Sequence, residues 1–504
     1  MGKYYITTPI YYVNDRPHVG HLYTTVAADV LARWHRLNGD DTMFLTGTDE
    51  NSQKNVEAAE KLGRSDIKAY LDEMSGAWRE TWKGLGLTND DFIRTTEPRH
   101  LAAVEKFWKA VEASGDIYGG EYVGLYCTGC EAFVRESDLA DGKCPIHKKE
   151  PSPIKEKNYF FKLKKYREAL LKHIDEHPDF IQPVERRNEV RSYVDRFMED
   201  VSISRESMKW GIPVPGGKGV IYVWFDALIN YLSAAGYGTD DAKFSKWWPC
   251  DVHLVGKDII KFHCALWPAM LMSAGIEPPK KVFAHGFFTV NGDKMSKSLG
   301  NVISPAEAAS TCGFDALRYF LLREITFGGD GDFSLERLRD RYRNDLGNEL
   351  GNLMHRTLSM TEKYFGGKVP EAEACAEAAA DQAKTWERYE AALDRLDFGG
   401  ALDAVWEDLR RDNRHIDEVK PWVLAKTDTA GLAKTMYYLL EHLRQTAWLI
   451  RPFMPEVSDK MLKQLGVCEN EAKKSYNEAK VWGQMPVGGI IAKGEPLFPR
   501  IDEK

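Results

Sequence analysis

Three small groups of residues in this 504-residue chain have the types and spacings that do chemistry. The first is "PHVGH", in which His18 and His21 flank Gly20. Where a strand hands over to a helix, backbone N–H groups favour an anion, and a glycine lets a large ligand approach the backbone. Imidazoles at that point can donate to phosphate oxygens as charge develops on them. The second is "GDKMSKSLGN", residues 292–301, which sets Lys294 and Lys297 three apart among Gly, Ser and Asn residues that cannot hold a core together. Ammonium groups are compact point charges suited to a polyphosphate. Taken singly, these two groups read more simply as an incidental loop pair and a solvated basic turn. The third is "CTGC" at 127–130 followed by "CPIH" at 144–147, which offers Cys127, Cys130, Cys144 and His147. Four N and S ligands on two short turns suit tetrahedral zinc, and a site filled by protein holds shape rather than doing catalysis. A redox dithiol at Cys127 and Cys130 is the alternative.

The elements that must position these groups follow from periodicity. "YYITT" predicts a strand, followed by a loop through Pro9 to Pro17. Val26, Val30, Leu31, Trp34 and Leu37 then recur at helical spacing, and Asn38 with Gly39 stops the helix. "TMFLTG" predicts a second strand, so the segment fits a right-handed crossover in a doubly wound parallel sheet. Ligands of such sheets sit at the strands' carboxyl ends. "AVEKFWKAVEASG" places Val104, Phe107, Trp108 and Val111 on one helical face, after which short strands, Cys pairs and Pro mark an inserted domain. "GVIYVWFDALI", "DVHLVGKDII" and "KVFAHGFFTV" predict the remaining strands of the first sheet, the last running directly into the lysine loop. Beyond residue 340 the pattern is almost wholly helical, as in "LGNELGNLMHRTLSM" and "TMYYLLEHLRQTAWLI".

With 43% hydrophobic and 29% charged residues the composition is that of a globular chain of several domains, and no apolar run is long enough to cross a bilayer. The opening "MGKYYITTPIYYV" has neither a basic leader with an apolar core nor the texture of a transit peptide, so a cytoplasmic setting is expected. Of the eight cysteines, Cys250, Cys264, Cys312, Cys375 and Cys468 stand far apart, as isolated buried thiols do. A formal charge of -8 argues against indiscriminate binding to nucleic acid and permits a local basic face.

A strand-to-helix "HVGH" at 18–21 paired with "KMSKS" at 294–298 resembles the two signatures of the class I aminoacyl-tRNA synthetases, with Val19 for the usual isoleucine. The resemblance narrows to the methionyl-tRNA synthetases through "TTPIYYVNDRPHVGHLYTT", "FLTGTDE", "VWFDALINY", "VGKDIIKFH", "WPAML", "HGFFTVNGDKMSKSLGN" and "VKPW", and it covers essentially the whole chain. It implies an α/β, Rossmann-type catalytic domain in two halves, 1–115 and 224–290, separated by a connective domain with a zinc knuckle at 116–223. A region at 291–340 holds the KMSKS loop and stem contacts, and 341–504 is a helical anticodon-binding domain.

The activity implied is ATP-dependent formation of methionyl-adenylate from L-methionine, then transfer of the methionyl group to tRNA(Met). A carboxylate is already ionised at pH 7, so the first step needs positioning and charge stabilisation rather than a side-chain base. The resemblance gives His18, His21, Lys294 and Lys297 the phosphate chemistry, with Mg²⁺ carried by ATP. Gly20, Gly256, Asp258, Ile259, Ser296 and Ser298 are implied to line the nucleotide. Asp49 is implied to pair with the substrate ammonium, and Ile10, Tyr12, Trp224, Leu228, Tyr231, Phe262 and His263 to form the side-chain pocket, aromatic surfaces that suit a thioether. Asn352, Arg356, Asp417 and Trp422 are implied to meet the CAU anticodon. Cys127, Cys130, Cys144 and His147 resemble the ligands of the single-knuckle form, one structural Zn²⁺ per chain. A monomer is the expected state. On pattern alone the pocket residues read as core, Asp49 as a strand-end turn, Asn352 as a packing amide, Arg356 as a surface charge and Trp422 as a core aromatic. Asn51 and Ser52 stand where many relatives carry His-Gly, and Leu228 where some carry proline. The competing expectations are another synthetase for a small apolar or sulfur amino acid, and a silent RNA-binding module that kept the helices.

Overall fold

The computed structural model describes residues 2–127, 132–134, 136–145, 148–290, 293–294, 302–372 and 375–501. The chain forms two compact units, one of Gly2–Pro17 with Asp41–His285 and one containing His18–Asp40 with Gly286–Lys504.

The core of the unit that holds Asp41–His285 is a six-stranded sheet made of Lys3–Tyr12 (β1), Asp41–Asp49 (β2), Asp91–Arg94 (β3), Ile181–Gln182 (β4), Val252–Gly256 (β5) and Val282–His285 (β6). Its order is β3-β2-β1-β5-β6-β4, and every pairing is parallel. Such sheets bury both faces, and the last seven residues of β2 are accordingly buried. The strand order reverses between β1 and β5, which makes the carboxyl ends of these two strands the place where an open sheet of this type receives a ligand. The helix Pro98–Ala113 buries Val104, Phe107, Trp108 and Val111 in the core of this unit, as its spacing predicts. A separate antiparallel sheet, built from Ile117–Cys127, Ala132–Val134, Ser152–Phe161 and Val201–Ser202, accounts for the short-strand texture.

Several boundaries differ from the sequence expectation. Strand β1 runs on through Pro9 to Tyr12 where a loop is predicted, because a register shift between Thr7 and Ile10 accommodates the proline. "GVIYVWFDALI" is not a strand of the central sheet: Val220–Ile221 pairs with Ser204–Arg205 and Val223–Leu228 is helical. A short apolar run buried on all sides carries no period to separate strand from helix. "KVFAHGFFTV" breaks at Gly286 into β6 and a second strand, Phe288–Val290. A Cβ on Gly286 would lie 2.2 Å from the carbonyl oxygen of Gly329, so only glycine admits that approach. Strand Phe288–Val290 pairs with Asp293–Lys294 and Gly331–Asp332 in a small sheet of its own, which puts the Lys294 backbone in a hairpin strand rather than a free loop.

In the other compact unit the helix Val19–Leu37 is buried on nearly every side and ends at Asn38, with Gly39 at φ +84°. Tyr23 meets Phe288 and Phe327 edge to face, and the Val19 N–H donates to the Ile303 carbonyl at 3.1 Å. Asp29, on the same helix, forms a fully buried ion pair with Arg318 at 2.7 Å. The C-terminal region is helical as expected, chiefly Asn352–Phe365, Ala376–Asp394, Phe398–Val419, Thr429–Ile450 and Pro455–Gln464. Three of these helices share a buried polar cluster. His442 contacts Asp412 through Nδ1 and lies 3.5 Å from Asp408 through Nε2, Tyr438 donates to Asp412 at 2.8 Å, and Thr385 donates to Asp408 at 2.6 Å.

Burial alone would lower the His442 pKa, but Asp412 and Asp408 outweigh it and push the imidazole up to about 9. A histidine raised on folding contributes stability that is present in full below its unfolded value near 6.5 and lost as pH rises through about 9. Denaturation of the helical region followed at pH 6.5 and pH 9.5 should therefore show a loss of up to about 3 kcal/mol. His442→Gln should abolish that difference, and an equal loss in the variant would assign it elsewhere.

Candidate active site

The "PHVGH" segment forms the start of the helix Val19–Leu37, and its histidines cap it. The Gly20 N–H donates to His18 Nδ1 at 3.0 Å, and the His18 N–H donates to His21 Nδ1 at 3.3 Å. An Nδ1 that accepts carries no proton, so both rings hold their proton on Nε2 and present an N–H donor there. The rings stack with centroids 3.7 Å apart. Burial, together with the neighbouring His18, holds His21 well below the usual imidazole range, so it stays neutral. Gly20 leaves room for the cap: a Cβ would lie 2.8 Å from the His18 ring, which would have to shift. Of the lysine segment, the Lys294 backbone is described, whereas Ser296, Lys297 and Ser298 lie outside the described residues.

The carboxyl edge of the central sheet assembles the other candidates. Tyr12 and Asp49 are direct neighbours in the β1–β2 register, and the Lys54 ammonium lies 4.5 Å from the Tyr12 ring centre. Gly256 ends β5, and Asp258 and Ile259 form the turn that follows it. Ile10, Trp224, Ile259 and Phe262 are half-buried against the core that contains Leu228 and Tyr231. Trp224 and Phe262 stack with centroids 4.0 Å apart and planes 3° from parallel. His263 Nδ1 lies 3.0 Å from the Ile259 carbonyl, which can only accept, so that nitrogen carries the proton and Nε2 accepts from the Tyr231 hydroxyl at 2.8 Å. Burial holds His263 down at about 4, against the raising effect of the Ile259 carbonyl. The result is a wall of flat, polarizable surfaces closed by a neutral donor-acceptor chain, which suits an apolar side chain carrying sulfur.

A buried network that sequence reading missed stands behind Asp49. The Asn51 N–H donates to Asp49 Oδ1 at 3.2 Å, and the Asn51 amide donates to Asp226 Oδ2 at 2.9 Å. Asp226 Oδ1 faces His100 Nε2 at 2.9 Å, and His100 Nδ1 faces Ser233 Oγ at 3.0 Å. The Ser233 hydroxyl donates to the Ile229 carbonyl at 2.9 Å, so its oxygen is the acceptor for His100. Burial raises the Asp226 pKa while His100 and Asn51 oppose the rise. The signal was a lone carboxylate inside the apolar run "VWFDALINY" and a histidine one turn before Val104 on a buried face. Ser52, in the same departure from the family pattern, caps the helix Gln53–Lys61 by accepting from the Lys54 N–H.

Of the four sulfur and nitrogen ligands expected for zinc, Cys130 and His147 lie outside the described residues. Cys127 and Cys144 are both buried. Cys127 pairs with Ala132 across a hairpin, and the Cys144 N–H donates to the Lys149 carbonyl at 2.9 Å. Two buried thiols fit the expected zinc-ligand chemistry. In the helical region Arg356 binds Asp417 at 2.6 Å, Asn352 is exposed, and Trp422, at 44% exposure beside Pro421, is not a core aromatic.

Comparisons with known proteins agree along the chain. The family model described as "tRNA synthetases class I (M)" matches residues 4–150 and 134–358, and that of the "Anticodon binding domain of methionyl tRNA ligase" matches 365–504. A methionine-tRNA ligase of Caldanaerobacter subterraneus is 48% identical over 99% of this chain and 79% of its own length. One of Thermotoga maritima is 45% identical over 100% of this chain and 81% of its own. The solved structure of Mycobacterium tuberculosis methionyl-tRNA synthetase in complex with methionyl-adenylate superposes with a TM-score of 0.94 at 42% identity, covering 99% of this chain and 100% of that one.

The hydrogen-bond chain at His263 makes a direct prediction. In a ¹⁵N-resolved titration His263 should keep its proton on Nδ1 and a bare Nε2 down to pH about 4. Because its folded pKa lies below the unfolded 6.5, its contribution to stability is full above that value and falls as pH drops toward 4. Protonation near pH 6.5 would show that His263 is not buried in the folded protein.

Proposed function

Because this chain belongs to the methionyl-tRNA synthetases of class I, we propose that its candidate residues divide the reaction of that family as follows. The enzyme activates L-methionine with ATP to methionyl-adenylate and pyrophosphate, and then esterifies the end of tRNA(Met). In the first step the substrate carboxylate attacks the α-phosphorus and pyrophosphate departs. The work is to hold the reacting atoms in line and to stabilise charge on the phosphate oxygens.

The observation that carries the reading is the locked tautomer at the helix start. His18 and His21 each keep a proton on Nε2, which supplies two neutral N–H donors at a helix N-terminus. Neutral donors bind phosphate oxygens without a proton to lose, and their benefit grows as charge moves onto those oxygens. Lys294 and Lys297 take the departing pyrophosphate, with Ser296 and Ser298 donating to the nucleotide. ATP brings Mg²⁺, which neutralises phosphate charge when bound. Gly256, Asp258 and Ile259 lie along the adenylate. Asp49, oriented by Asn51, receives the methionine ammonium, and the thioether lies against Trp224 and Phe262 with Ile10, Tyr12, Leu228 and Tyr231 around it. His263, neutral and bonded on both ring nitrogens, keeps that pocket free of charge. Asn352 and Arg356 read anticodon base edges, Asp417 fixes the Arg356 fork, and Trp422 stacks on an unstacked base. Cys127, Cys130, Cys144 and His147 hold one structural zinc, whose role is to fold the turns that carry them. The cytoplasmic setting expected from the sequence belongs to the same reading.

Two experiments test these assignments. Lys297→Ala should slow methionine-dependent exchange of pyrophosphate into ATP by about 10²-fold while changing the methionine KM far less. A loss confined to methionine binding would remove Lys297 from the phosphate chemistry. Metal analysis should find one zinc per chain that is lost with Cys127→Ser, and a folded, metal-free wild type would remove the knuckle assignment.

A further inference from the structure

A cavity of about 430 Å³ opens between the helices Ala376–Asp394 and Phe398–Val419, and its wall carries five cations against three carboxylates. This is a cationic hollow in a chain whose formal charge is -8. Arg388 reaches across it to Glu407 at 2.7 Å, and Arg411 is held by Asp408 at 2.9 Å. Arg410 is tied to Glu349 at 3.0 Å, three residues before Asn352. Arg414 lines the same hollow, is exposed, and has no ion-pair partner among the described residues. Arg410, Arg414 and Asp417 stand at i, i+4 and i+7, one face of one helix, and Asp417 holds Arg356. The hollow is thus continuous with the residues assigned to the anticodon.

We infer that this cavity is a phosphate site for the RNA backbone, with Arg414 and Arg388 as the residues that hold it, adjoining the base-reading residues on the same helical face. The inference rests on the proposed reading of Asn352, Arg356 and Trp422 as the anticodon site. Guanidinium groups offer a planar fork to phosphate oxygens, and those already held by carboxylates give up less freedom on binding. Arg388 is held in this way by Glu407, and Arg411 in the same wall by Asp408, which also binds Thr385 and His442, whereas Arg414 keeps its fork unengaged by a carboxylate among the described residues. Phosphate binding fixes register and carries no sequence information, whereas base binding specifies.

That difference separates this site from the anticodon site experimentally. Binding is measured as a function of salt for a tRNA(Met) transcript and for the same transcript with its anticodon changed. Arg414→Ala, and Arg388→Ala with Arg414→Ala, should weaken both RNAs by the same factor, on the order of tenfold for the double variant. The slope of log affinity against log salt should fall by about 0.7 to 0.9 for each phosphate that is no longer neutralised, and Arg414→Lys should restore most of it. Trp422→Ala, by contrast, should erase the preference for CAU and leave the salt slope unchanged. Unaltered affinity and slope in both arginine variants, with wild-type circular dichroism, would overturn the site. So would a weakening confined to the CAU transcript, since that is base reading. Failure of Trp422→Ala alone would count against the anticodon assignment and leave the salt result to decide the phosphate site.

Discussion

The buried ion pair between Asp29 and Arg318 is the constraint on which the unit containing the histidine motif depends. Both side chains are fully buried, and Arg318 donates through Nε and Nη2 to the Phe453 and Pro452 carbonyls at 2.7 and 2.8 Å. Arg33 binds the same Asp29 oxygen at 2.7 Å. Desolvating two charges costs more than an isolated pair returns, and burial does depress the Arg318 pKa against the raising effect of Asp29. Removing one partner would strand a charge in the interior at about 3–5 kcal/mol. What the pair secures is register. It joins the helix that begins at His18 to a helix after the lysine segment and to the turn that closes Thr429–Ile450. A one-residue slip in either helix would leave an arginine or an aspartate unpaired, so the cap that fixes the His18 and His21 tautomers is held from its far end.

The residues proposed for the chemistry fall into both units. His18, His21 and Lys294 fall in one, and Asp49, Trp224, Tyr231, Phe262 and His263 in the other. Each set is made rigid by its own means. The histidines depend on a helix cap that a Cβ at position 20 would crowd at the His18 ring, whereas the aromatic wall has His263 kept neutral by burial and oriented by its hydrogen bonds to Tyr231 and Ile259. A charged imidazole there would disfavour a thioether and would need a counter-ion that the wall, as described, does not offer. Burial supplies the neutrality without one.

Much of this was legible in the sequence, and for physical reasons. The helix Val19–Leu37 announced itself through Val26, Val30, Leu31 and Trp34, and its end through Asn38 and Gly39. Strands β2 and β5 read as continuous apolar runs because parallel sheets bury both faces. Where the period vanished, the reading failed. Val223–Leu228 is a helix too short and too buried to show a polar side, and the two residues of β4 are fewer than any pattern can register. The break at Gly286 depends on a carbonyl 43 positions away, which no local window contains. The candidate site residues came through family motifs, and the side chains behind them did not. Asn51, His100, Asp226 and Ser233 are scattered over the sequence, and only folding lines them up behind Asp49.

Net charge misled least when treated as an average. A chain at -8 that must hold a polyanion cannot rely on its overall field, which repels RNA at long range. It needs cations gathered in one place and held in fixed directions. The helical region meets that need by pairing most of its arginines: Arg388 with Glu407, Arg410 with Glu349, Arg411 with Asp408. These pairs fix each guanidinium's direction while leaving part of it to solvent, and the exposed one between Arg388 and Glu407 adds little to stability. The acidic partners therefore lower the net charge and at the same time aim the cations, so an acidic protein can present a local basic hollow.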